Sequence, residues 1–165
     1  MTVQTIITLL NQLVELHKRL LAVSKEKTDI LKEGDFDSLQ ELLKKEQALV
    51  KNITQVEQKR MKELERWSMD KGLNFEEITV TTLIETYIEG SEKDDLEKVT
   101  LELANILHEL RSQEDLNKQL TEQSMQFVQL SLNMMAPRPM NNMNYGNKPQ
   151  QPPSTYKQSI FDSKA

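Results

Sequence analysis

Two histidines, His17 and His108, are the side chains best suited to proton transfer or metal ligation, and each stands alone on its stretch of chain. Neither has a second histidine four residues away, and no cysteine is present to complete a common zinc set. Both are expected at the surface or at the edge of a core. The carboxylate pairs Glu76 with Glu77 and Asp94 with Asp95 fall where helices should begin, so stabilisation of the helix dipole accounts for them without acid or base catalysis. Four scattered glycines cannot form a phosphate-binding loop, and no serine stands in a strand–turn–helix context. These residues predict a protein that is not an enzyme and has no catalytic, cofactor or metal site.

The stretch that invites binding rather than chemistry is LNKQLTEQSMQFVQLSLNMM, residues 116–135. Its helical stripe is interrupted by Asn117, Ser124 and Ser131, which weakens it as a plain core. Leu116, Leu120, Met125, Phe127, Val128, Leu132, Met134 and Met135 meanwhile spread apolar surface over more of the circumference than one neighbour covers. Those eleven residues form the candidate partner surface, centred on Phe127. Methionine suits such a role because its unbranched side chain adapts to varied partners. The alternative is that this stretch is the end of a bundle core, covered by the tail or by a second copy of the chain.

The elements that must carry this surface are helices. All five prolines lie after Ala136, so the residue most costly to a helix interior is absent from the whole body. Gly34, Gly72 and Gly90 sit where apolar periodicity breaks, as expected just past helix ends. They divide the body into helices over about 3–33, 38–71, 82–89 and 92–135, with 137–165 as a Pro-rich disordered tail. The first helix carries Ile6, Leu9, Leu13, Leu16, Leu20, Val23 and Ile30 at steps of three and four, with Lys27 the one interruption. A second stripe (Ile7, Leu10, Val14, Leu21, Leu31) widens its face enough to require two neighbours.

Asp37 with Gln40 is the expected cap of the second helix, Thr82 with Glu85 that of the short helix, and Ser91 that of the last. Gly72 followed by Leu73 predicts a Schellman stop, with Leu73 folding back on Trp67. The fold class is therefore all-α: an elongated antiparallel bundle of three long helices plus one short one. The last helix is the longest and should overshoot the first hairpin turn by roughly 15 Å.

Composition agrees. The chain of 165 residues is only 37% hydrophobic and 28% charged, which fills a slender bundle better than a thick globule. The formal net charge is −5; the tail carries +3 and the body −8. An acidic body argues against nucleic acid and anionic lipid, since phosphate binding needs clustered Lys and Arg. The N-terminal residues lack a secretory core or a spanning segment, and the missing cysteines suit the cytosol.

Two long helices with GDFDSLQELLKKEQALV at their junction, a short helical insert, NKQLTEQSMQF in the last helix and a tail with NYG and FDSKA resemble the FlgN-type flagellar export chaperones. The resemblance implies a cytoplasmic protein that binds the C-terminal helix of the hook-filament junction (hook-associated) proteins. It would block their premature assembly and deliver them to components of the flagellar type III export apparatus. Carried over by position, the cargo surface includes Asn117, Leu120, Ser124, Phe127 and their neighbours to Met135. The alternative is a coiled-coil scaffold that self-associates through the same face, for which a weak homodimer would be the trace. A weaker third class is a regulator that binds an ATPase or another switch protein through the long hairpin.

Overall fold

The computed structural model describes residues 3–136; the tail expectation for 137–165 lies outside the described residues. The order is α1 (Val3–Glu33), α2 (Phe36–Asp70), a 3-10 turn (Phe75–Glu77), α3 (Val80–Thr82) running into a π-helical turn (Leu83–Tyr87), and α4 (Ser91–Met135). The described residues form an all-α bundle without strands.

Helix ends follow local chemistry, with three corrections. Gly34 takes φ 73°, and its N–H and that of Asp35 both donate to the Ile30 carbonyl, closing α1. Asp35, rather than Asp37, caps α2: its carboxylate accepts from the Ser38 N–H and the Ser38 hydroxyl. The nearer acid wins because only one residue separates the glycine turn from the helix. Thr79, rather than Thr82, starts the short helix by accepting from the Thr82 N–H. Gly90 occupies the N-cap of α4, so Ser91 is already its first helical residue. The Schellman stop forms as expected: the Leu73 N–H bonds Ser68 O at 2.9 Å, the Gly72 N–H bonds Met69 O at 3.0 Å, and Leu73 packs on the core that holds Trp67.

The wide face of α1 has its two neighbours. Helix α1 lies between α2 and α4 and packs on both, antiparallel to α2 and parallel to α4. Ile6, Ile7, Leu10, Leu13 and Val14 of α1 join Leu64 and Trp67 of α2 and Leu96, Val99 and Ile106 of α4 in one cluster, closed at the lower end by Leu83 and Ile88 of the insert. Trp67 meets Tyr87 edge to face, with ring centroids 5.7 Å apart. Between Leu42 and Leu64 no residue of α2 is buried, since α1 is the one long helix that covers it closely.

Candidate functional site

Above Leu21 the contacts between helices change character. The buried residues of α1 become Ser24, Lys27 and Thr28, and their partners are polar. Lys27 Nζ bonds Glu46 of α2 at 2.6 Å and Glu114 of α4 at 2.9 Å, so one ammonium ties three helices. Ser24 donates to Glu114, and Thr28 donates to the side-chain Oδ1 of Asn117 while accepting from Gln113. The Asn117 amide donates to the Ser24 backbone carbonyl at 2.8 Å. Burial acts to lower the Lys27 pKa, but the hydrogen bonds and charges of Glu46 and Glu114 outweigh it and hold the ammonium above the ordinary lysine value.

These pairings also fix the levels of the helices. With Ser24 opposite Glu114 and Thr28 opposite Asn117, the last residue of α1 stands level with about residue 122. The remaining 13 or so residues of α4 project about 20 Å beyond it. The overshoot is therefore real, and somewhat longer than helix lengths alone suggest.

Where α4 leaves α1, a groove of 580 Å³ opens between it and the hairpin tip. One wall is Ile30 and Leu31 of α1 with Phe36 and Leu39 of α2; the other is Thr121, Ser124, Met125, Val128 and Leu132 of α4. A second concavity, of 560 Å³, lies between α1 and α2, but most of the residues around it are polar or charged, among them Glu15, Arg19, Gln55 and Lys59. The first offers a continuous apolar surface to a helix.

The expected surface residues fall at different places around α4. Asn117 is 2% exposed and hydrogen-bonded to Ser24 and Thr28, so it sets the register of α4 on α1 and does not line the groove. Ser124, Met125, Val128 and Leu132 line the groove and continue the core-facing stripe of α4 past the end of α1. At about 100° per residue, Leu116, Phe127 and Met134, together with Leu130, point roughly 140° away from that stripe, on an outer face. Phe127 is 71% exposed there. Leu120, half-buried, and Ser131 lie between the two faces, and the Ser131 hydroxyl bonds the Phe127 carbonyl. Met135 ends the helix at the surface.

The hairpin wall was not anticipated. Ile30 and Leu31 read as ordinary stripe residues and Phe36 and Leu39 were not singled out, yet two signals distinguish this wall: Ile30 and Leu31 resume the apolar pattern just past Lys27, and Phe36 places a large aromatic two residues after a turn glycine. Phe36 is 68% exposed. The residues considered first for chemistry lie elsewhere. His17 bonds the Leu13 carbonyl at 2.7 Å in a half-buried position, His108 is exposed, and Asp94 stands in the first turn of α4. Among the described residues no group of three His, Asp or Glu could hold a metal, and no helix is long and apolar enough to cross a membrane.

Comparison with known proteins agrees with a helical binder. The family model described as FlgN protein matches residues 1–153. The chain belongs to the FlgN family. It is thus a flagellar export chaperone, a helical protein of flagellum biogenesis that binds flagellar proteins and not one of an enzyme family. A protein of Bacillus subtilis (strain 168) described as uncharacterized protein YvyG is 35% identical over 166 residues, covering 100% of both chains. No solved structure matches this FlgN-family chain.

Proposed function

We propose that this chaperone works in the cytoplasm and takes the C-terminal amphipathic helix of hook-filament junction proteins into the groove between the hairpin tip and α4. Occupied in this way, the cargo helix is withheld from premature assembly and presented to the export apparatus. The observation that carries the reading is the apolar stripe of Met125, Val128 and Leu132, which continues the core-facing side of α4 where α1 has ended and faces Phe36 and Leu39 across open space. A cargo helix would occupy the position that a longer α1 would have held. Burial of such a surface contributes about 25 cal/mol per Å² before ordering costs. Because export must separate the pair, a dissociation constant on the order of micromolar to tens of nanomolar fits the task.

The test is calorimetry of the purified chaperone with a synthetic peptide of a junction protein's C-terminal helix. Met125→Glu with Val128→Glu should weaken binding at least about a hundredfold, since both charges would have to be buried beneath the peptide. Binding that survives this pair of substitutions defeats the groove reading. A wild-type dimer that dissociates on the same substitutions, with no peptide bound by either protein, would favour self-association instead.

A further inference from the structure

The groove opens beside the point where the described chain ends. Leu132 lines it, and α4 stops at Met135. The sequence beyond, residues 137–165, contains a single residue of the Ile, Leu and Val class, Ile160, and a single phenylalanine, Phe161, placed side by side. Lys157 and Lys164 flank this pair and Asp162 follows it, so residues 157–164 carry two positive charges against one negative. The hairpin tip that forms one groove wall exposes Glu33, Asp35 and Asp37 against Lys32, a local excess of negative charge. Hydrogen bonds from the Ser38 hydroxyl and N–H hold the Asp35 carboxyl below its ordinary value, so it is ionised at neutral pH.

We infer that in the cargo-free chaperone the groove is occupied by the chain's own segment 157–164, with Ile160 and Phe161 against Met125, Val128 and Leu132, and the flanking lysines toward the acidic hairpin tip. Reach is no obstacle. Returning from Ala136 to the level of Val128 takes about 12 Å, whereas the 23 residues 137–159 can span up to about 75 Å. Charge selects this occupant over a second copy of the chain, since residues 1–136 carry −8 and repel their like, whereas 137–165 carry +3. Intramolecular occupancy also covers apolar surface that would otherwise invite aggregation. A tethered segment works at an effective concentration on the order of millimolar, so an intrinsic dissociation constant on the order of 100 µM suffices to fill the groove and weaken cargo binding about tenfold. The inference rests on the reading of the groove as the cargo site only for this last, competitive consequence.

The chain has no cysteine, so Ser163→Cys accepts a single nitroxide label in the full-length protein. Paramagnetic broadening of methyl signals should then be strong at Met125, Val128 and Leu132 and absent at Leu13 in the lower core. Ile160→Asp with Phe161→Asp should relieve it. Absence of broadening, broadening that survives the double substitution, or broadening that appears only between separately labelled chains would each overturn the proposal. The same double variant should bind a fluorescein-labelled cargo-helix peptide about tenfold more tightly, and an unchanged affinity for a peptide that does bind would overturn competition. If neither protein binds the peptide, the proposed cargo reading fails while the broadening still decides whether the segment docks.

Discussion

The lower and upper halves of α1 meet the same two neighbours by different physics. From Ile6 to Leu21 its buried side chains are aliphatic, with Ile6 1% and Val14 2% exposed, and most of them join the one apolar cluster shared with α2 and α4. From Ser24 to Thr28 the buried side chains are a hydroxyl, an ammonium and a second hydroxyl, each satisfied by a partner on α2 or α4. Aliphatic packing tolerates sliding by a helical turn, because one leucine resembles the next. A lysine held by two glutamates and an asparagine bonded to a single backbone carbonyl do not, since a slip would leave buried polar groups unpaired. The lower half thus supplies stability and the upper layer fixes how far α4 projects. The height of that projection determines whether Met125 and Val128 stand opposite Phe36 and Leu39.

The contrast can be broken most forcefully in the lower half. Trp67→Ala should lower stability by about 3–5 kcal/mol in urea or thermal unfolding, because a buried ring that contacts Tyr87 leaves a cavity the helices cannot collapse into.

Lys27→Met should cost less, about 1–3 kcal/mol, since the Glu114 side chain is 40% exposed and water can take over part of its charge. Its pH dependence is the sharper test. The folded-state pKa of Lys27 lies above the unfolded value of about 10.4. The lysine's stabilisation is therefore fully present below that unfolded value and is lost as pH rises through the higher folded one. The stability gap between wild type and Lys27→Met should stay level from neutral pH to about 10 and close above it. A gap that closes below pH 9 would remove the ion pair from the account of this layer.

Phe127→Glu should have the smallest effect. Because Phe127 stands on the outer face of α4, the substitution should change stability by less than about 0.5 kcal/mol and peptide affinity by less than about twofold. A loss of binding as large as that of the Met125→Glu, Val128→Glu pair would move the partner surface from the groove to the outer face.

Much of the architecture was legible in the linear pattern. Prolines confined to the tail, glycines at three breaks and a wide stripe on the first helix specified a three-helix bundle, and the Gly72–Leu73 stop formed as its sequence implied. Cap positions shifted by one to three residues, as with Asp35 in place of Asp37, because several acceptors lie near each helix start and backbone geometry selects among them. The candidate surface was harder to read. A helical stripe reveals which residues share a face, and it placed the apolar excess correctly on residues 116–135. It does not reveal which of two apolar faces meets a neighbour.

The sequence by itself therefore determined the number, extent and breaks of the helices and the presence of more apolar surface on the last helix than one neighbour covers. Those properties are local, set by residue type and periodicity. Only the tertiary structure decided that Asn117 is a buried register pin, that Phe127 faces away from the hairpin, and that Phe36 and Leu39 complete a groove with Met125 and Val128. Each of these depends on the relative height and rotation of two helices about ninety residues apart in the chain. Those are fixed by the pairing of Ser24, Lys27 and Thr28 with Glu46, Glu114 and Asn117, a long-range agreement that no stretch of sequence contains alone.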